Sequence, residues 1–273
     1  MMVNGGGLDR SIYSKNACSR KVCRGLLRGG AAASRGRETP LTFRCFEATA
    51  FGRIREFMHR IATTQELRHV LTFSICYLAV AAVFIVAGGN HEFLLYLGVM
   101  TLIILAVIGV YRRAGLSRGL LWGFSIWGLF HMIGGLVPIP ETWHEADATG
   151  VVYSWRIFPG YLKYDQLVHG FGVGLVTWLC WQALSTRVRS HDGTVLYPTL
   201  GILGICAAAG MGFGSVNEVV EFFAVLLLPE TNVGDYENTG WDLVANFLGS
   251  VIAAITIRNI WHRKHPDFDL SKV

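Results

Sequence analysis

Charge is what the sequence has least of. Asp, Glu, Lys and Arg make up 16% of its 273 residues, against 52% hydrophobic ones. Soluble domains carry nearer about a quarter charged residues, so the balance leans towards a membrane protein. Cysteine is also sparse, with six in all. Cys18, Cys23 and Cys45 precede the apolar segments, and Cys76, Cys180 and Cys206 lie inside them. None forms a C-x-x-C pair, which excludes a zinc or redox site of that pattern. They read as soft packing residues. Standard catalytic signatures are missing too: there is no H-E-x-x-H, no G-x-S-x-G and no phosphate-binding G-x-x-x-x-G-K-[ST]. No apolar stretch follows the basic run Arg20–Gly25, so the start does not read as a secretory signal.

The charge that is present is uneven. Residues 1–68 hold 13 Lys and Arg against 5 Asp and Glu, a net of +8. The whole chain is +5, so the remainder is −3 and the high pI belongs to the tail. No aromatic–basic RNA motif accompanies the tail, which argues against nucleic acid as a partner and for a cytoplasmic segment facing anionic lipid. Residues 1–65 are expected to be a disordered basic tail, 66–265 a six-helix transmembrane domain and 266–273 a short cytoplasmic tail. A mitochondrial transit peptide, or translation from Met58, are minority readings of the same tail.

From Val70 onward the sequence is built of apolar runs, and about 20 such residues span a bilayer as a helix. The runs are Val70–Ala87, Phe93–Tyr111, Leu120–Ile139, Tyr164–Leu184, Pro198–Leu228 and Trp241–Trp261. The expected fold is therefore an all-α integral membrane protein of about six helices. The fifth run is longer than a span requires, so it should tilt, or bend near Gly210, Gly212 and Gly214. Loop charge gives an expected direction. The tail, Arg112/Arg113/Arg118, Arg187/Arg189 and Arg258/Arg263/Lys264 are basic and fall on one side. Residues 88–91, 140–163 and 229–240 fall on the other and carry Glu141, Glu145, Asp147, Glu230, Asp235 and Glu237. Both termini are then expected in the cytoplasm, with the chain in the plasma (inner) membrane. Trp122, Trp181, Trp241 and Trp261 fall where interfacial belts lie.

Ionisable groups inside a span are costly, and here they are not scattered. Asp165 and His169 stand four apart at the start of the fourth run, on one helical face. The fifth carries Asn217, Glu218 and Glu221, and the sixth opens with Asp242 and Asn246, again four apart. His131 lies in the third. By the helical rise, His169 and Asn246 sit about 6 Å below the outer boundary, His131 about 12 Å, and Glu221 and Glu218 about 10 and 15 Å. Four helices thus offer polar groups at similar depth, as one shared site would. Gly170-x-x-x-Gly174 and Gly210-x-x-x-Gly214 would let the helices approach closely.

Asp165, His169, Glu221 and Asp242 suit a divalent cation such as Mg²⁺, Mn²⁺ or Zn²⁺. The wider set, with Glu218, Asn246 and His131, also suits a proton relay or acid–base work on a lipid or lipid-linked envelope molecule. No basic cluster on the outer side offers a phosphate grip; Arg156 and Lys163 are the cations of the long loop. The structural alternative is that the same residues bond one another and only lock helix packing. His131 taken alone needs no more than a backbone carbonyl. A small transporter is a third class, although no inverted repeat is visible.

The strings Tyr164-Asp165-Gln166-Leu167-Val168-His169-Gly170-Phe171-Gly172, Asn217-Glu218-Val219-Val220-Glu221-Phe222 and Trp241-Asp242-Leu243-Val244-Ala245-Asn246-Phe247-Leu248-Gly249, with His131-Met132-Ile133-Gly134-Gly135, resemble the YjdF-like family of bacterial inner-membrane proteins. More distantly, the order D-x-x-x-H, E, W-D-x-x-x-N-x-x-G resembles the VanZ-like superfamily. The resemblance covers roughly residues 70–262. It implies a small multi-spanning protein of bacterial type with these polar positions, and it carries no particular activity.

Overall fold

A computed structural model describes residues 60–140, 143, 150–188, 196–228 and 231–266. The expected disordered tail up to residue 59, Cys18, Cys23, Cys45, Glu141, Glu145, Asp147, Arg189, Glu230 and residues 267–273 lie outside them. The described residues all belong to one compact unit.

Among the described residues, six helices are long and apolar enough to cross a membrane, as expected. They are α1 (Thr64–Gly88), α2 (His91–Ala114), α3 (Arg118–Leu136), α4 (Tyr164–Arg187), α5 (Leu200–Leu227) and α6 (Tyr236–Lys264). Between α3 and α4 come a 3₁₀ turn (Val152–Ser154) and a small antiparallel hairpin, β1 (Arg156–Phe158) with β2 (Leu162–Lys163). The first backbone N–H groups of each helix have no partner within it, so caps matter. The side chains of Thr63, Asn90, Ser117, Thr199 and Asp235 each accept one of those N–H groups.

The caps explain where the helix ends differ from the apolar runs. Thr63 and Glu66 form a capping box, so α1 starts six residues before Val70. Asp235 starts α6 at Tyr236 rather than Trp241. Asp242 therefore lies well inside the helix, not at its opening. At the other end of the third run, α3 stops at Leu136, two residues before Pro138. The glycines of α5 do not interrupt it.

Glycine decides how closely the last three helices meet. α4 packs most extensively on α6, then on α5, while α1 packs on α3. Gly249 of α6 sits directly against the carbonyl of Gly170 of α4, and Gly174 lies against the carbonyl of Gly249, so a side chain at any of the three would strike backbone. Gly210 leaves room for Thr177, and Gly214 for Asn246 and Val173.

The basic ends of the helices are sealed by an apolar core of Leu116, Leu120, Leu175, Trp178, Leu203 and Ile257. Trp181 belongs to this core and is buried, which corrects its reading as an interfacial belt residue: its ring packs among apolar side chains instead of meeting headgroups. At the opposite end a second core of Ala81, Ile85, Phe93, Tyr96, Met100 and Met132 joins α1, α2 and α3.

Candidate functional site

At that opposite end the three glycine-packed helices meet through polar side chains. Helical spacing sets Asp165 and His169 on one face of α4, and His169 Nε2 lies 3.5 Å from Asp165 Oδ1. From α5, Glu221 Oε1 comes within 3.6 Å of the same nitrogen, and Glu218 Oε1 lies 3.3 Å from the other, Nδ1. From α6, Asp242 completes a second trio. One ligand atom each from Asp165, His169 and Asp242, and likewise from His169, Glu218 and Glu221, lie within 4.8 Å of one another. The imidazole is the member common to both trios.

Asn217, one turn before Glu221, donates to its Oε1 at 2.7 Å. Asn238, one turn before Asp242, donates to Asp242 Oδ2 at 2.7 Å and to Asp165 Oδ2 at 3.4 Å. The Asn238 carbonyl oxygen in turn accepts from Lys163 Nζ at 3.0 Å. Lys163 is thus linked to the two aspartates through one amide.

Several groups at the centre are buried without hydrogen-bond partners. Asp242 and Asn246 are fully buried. Asp242 Oδ1, both amide atoms of Asn246 and both carboxylate oxygens of Glu218 have none. Buried polar atoms left in this state cost on the order of 1–3 kcal/mol each.

The structure brings six of the seven residues singled out in the sequence, Asp165, His169, Glu218, Glu221, Asp242 and Asn246, to one place. His131 is separate. Its Nδ1 pairs with the Tyr153 hydroxyl, and its ring is boxed by Phe93, Tyr96 and Trp127. Burial holds the Tyr153 hydroxyl well above the usual phenol range, so it keeps its proton and can donate it to His131. Gly134 makes space for that ring. His131 nevertheless lines the same cavity as His169, of about 340 Å³, together with Asn217 and Asn246.

Sequence reasoning passed over three residues of this region. Asn238 was outside the expected helix, although its spacing of four from Asp242 marks it once α6 is known to start at Tyr236. Lys163 was read only as a loop cation. Glu92, buried in the first turn of α2, accepts from the backbone and side chain of Asn232 at 2.9 and 3.0 Å and ties α2 to the α5–α6 connection.

These features define a multi-pass helical membrane protein with acids gathered round an imidazole between its last three helices. Within that class, the chain belongs to the family described as predicted membrane protein DUF2238, matched over residues 69–264. The matched stretch holds every residue of the cluster. It establishes a membrane protein family and does not extend to the YjdF-like name or a VanZ-like relation. No curated protein and no solved structure matches the chain.

Proposed function

We propose that the protein binds one divalent cation between α4, α5 and α6. His169 Nε2 and carboxylate oxygens of Asp165, Glu221 and Asp242 are the ligands. Glu218 acts from the far side of the ring, on Nδ1. A carboxylate on the second nitrogen of a metal-bound histidine fixes the tautomer and the ring orientation, an arrangement common to such sites. It also explains why a fourth acid faces the nitrogen that the other ligands do not.

The observation that carries this reading is the combination of excess charge and missing hydrogen bonds. Four acids and one imidazole are drawn together in a region where an unbalanced charge costs several kcal/mol. Protons would lower the charge but leave Glu218, Asp242 and Asn246 with unpaired atoms. A dication carrying bound water supplies both charge and partners. The mixed oxygen and nitrogen donor set suits Mn²⁺ or Zn²⁺ better than Ca²⁺.

The purely structural alternative has less to explain. Gly170, Gly174 and Gly249 already bring α4 and α6 into backbone contact, so the acids are not needed to hold these helices. With the basic loops facing the cytoplasm, the site opens towards the outer face of a plasma membrane and both termini are inside. A single cysteine replacing the exposed Tyr161, in a background free of other cysteines, should then be labelled from outside intact cells. Labelling only after permeabilisation reverses the orientation.

The direct test is elemental analysis of the purified full chain. About one divalent metal per chain is expected, retained in wild type and lost in Glu221→Gln and Asp242→Asn proteins that still melt cooperatively. Wild type free of metal, and with no affinity for added Mn²⁺ or Zn²⁺, would sink the proposal.

A further inference from the structure

The cavity that His169 and Asn246 share extends well beyond the polar cluster. It runs along α2 from Val99 to Val110 and along α4 from Val168 to Leu179. Eleven helical rises along either wall make it about 16 Å long. That is close to the depth of one leaflet, half of a hydrocarbon core about 30 Å thick. Its volume is about 340 Å³.

The lining is divided along its length. Four polar side chains, His131, His169, Asn217 and Asn246, stand towards the end that carries the cluster. The rest of the wall is aliphatic or aromatic, down to Leu179 and Val110. On the α5 side the wall includes Phe213 and Val216, which are 62% and 57% exposed. The cavity therefore opens sideways between helices, at a depth where the surrounding medium is lipid. The amide of Asn246, fully buried and unpartnered, faces this space.

We infer that the cavity holds one acyl chain of a membrane phospholipid. The headgroup phosphate meets the cation proposed at Asp165, His169, Glu221 and Asp242, and the Asn246 amide bonds the headgroup. The inference rests on the metal reading for its headgroup half. The cation supplies the positive charge that the loop does not, since Lys163 is engaged with Asn238. The second chain of the lipid stays in the bilayer, outside the lateral opening. A polar end fixing orientation and a long apolar wall supplying affinity is the usual division of labour in a ligand site.

The test is native mass spectrometry of the full chain released from nanodiscs of phosphatidylethanolamine and phosphatidylglycerol, with metal content measured on the same samples. Wild type should retain one phospholipid and one metal. Val107→Trp and Val176→Trp, each filling the apolar part, should lower lipid retention at least ten-fold with metal unchanged. In a separate experiment on unmutated protein, a phospholipid with a mid-chain diazirine should label α2, α4 or α5 residues of the cavity wall. Metal bound with no lipid retained overturns this inference and leaves the metal site standing. Lipid retained without metal overturns the metal site and the headgroup contact with it. Equal retention in both tryptophan variants and wild type, or photolabelling confined to the outer surface of α1, also overturns the inference.

Discussion

The same three helices meet twice, once at each end, by opposite means. At the basic end α4, α5 and α6 are joined by Leu175, Trp178, Leu203 and Ile257, an apolar core with large side chains. At the other end they are joined by four acids, an imidazole and an amide, several of them without partners. The first arrangement is what a bundle needs to be stable. The second weakens the bundle unless something is bound there, because desolvated charges repay their cost only when paired and fully hydrogen-bonded. Where a fold has a good solution at one end and declines it at the other, the second end is the candidate for function.

Substitutions can break this contrast. Leu203→Ala, at the apolar end, should cost about 2–5 kcal/mol of stability in detergent, read as a lower melting temperature, and leave metal content unchanged. Gly249→Ala, between the two ends, should cost about 1–3 kcal/mol, because its new methyl meets the Gly170 carbonyl. The control is Gly98→Ala on α2, where a methyl meets nothing. It should be neutral or stabilising by up to about 1 kcal/mol, as helix propensity dictates. At the polar end, Glu218→Gln should lower metal affinity about 10–100-fold, measured by competition with a chelator, with little change in melting. At the polar end a smaller effect is expected of Asn217→Ala. It removes one hydrogen bond to Glu221, about 1 kcal/mol, and should weaken the metal less than Glu218→Gln does. If Glu218→Gln instead melted like Leu203→Ala and kept its metal, the two ends would not differ in kind.

The spans could be read from the sequence because apolar run length and lipid thickness are matched by physics, whatever the packing. Most of the site was legible for a related reason. Asp165/His169 and Asp242/Asn246 are four apart, and a helix puts such pairs on one face. What could not be read depends on contacts between elements. His131 shares a depth with the acids, yet the Tyr153 ring, inserted from the loop over Gly134, takes its nitrogen. Trp181 sits at an interfacial position in sequence, but α4 turns it inward. Asn238 was hidden by the apolar run, which starts at Trp241, whereas the Asp235 cap starts the helix five residues earlier. The cavity beside α2 leaves no sequence trace, since valines and isoleucines read alike whether they face lipid or a void.

The most direct test of the central claim is a pair of melting curves, wild type and Glu221→Gln, each recorded in chelator and again with Mn²⁺ or Zn²⁺ at about 100 times the dissociation constant. In chelator the variant, relieved of one buried charge, should melt at or above wild type. With metal the order should reverse, and wild type should gain about 2.7 kcal/mol that the variant does not. Wild type more stable than the variant in chelator, and unmoved by either metal, would contradict the account.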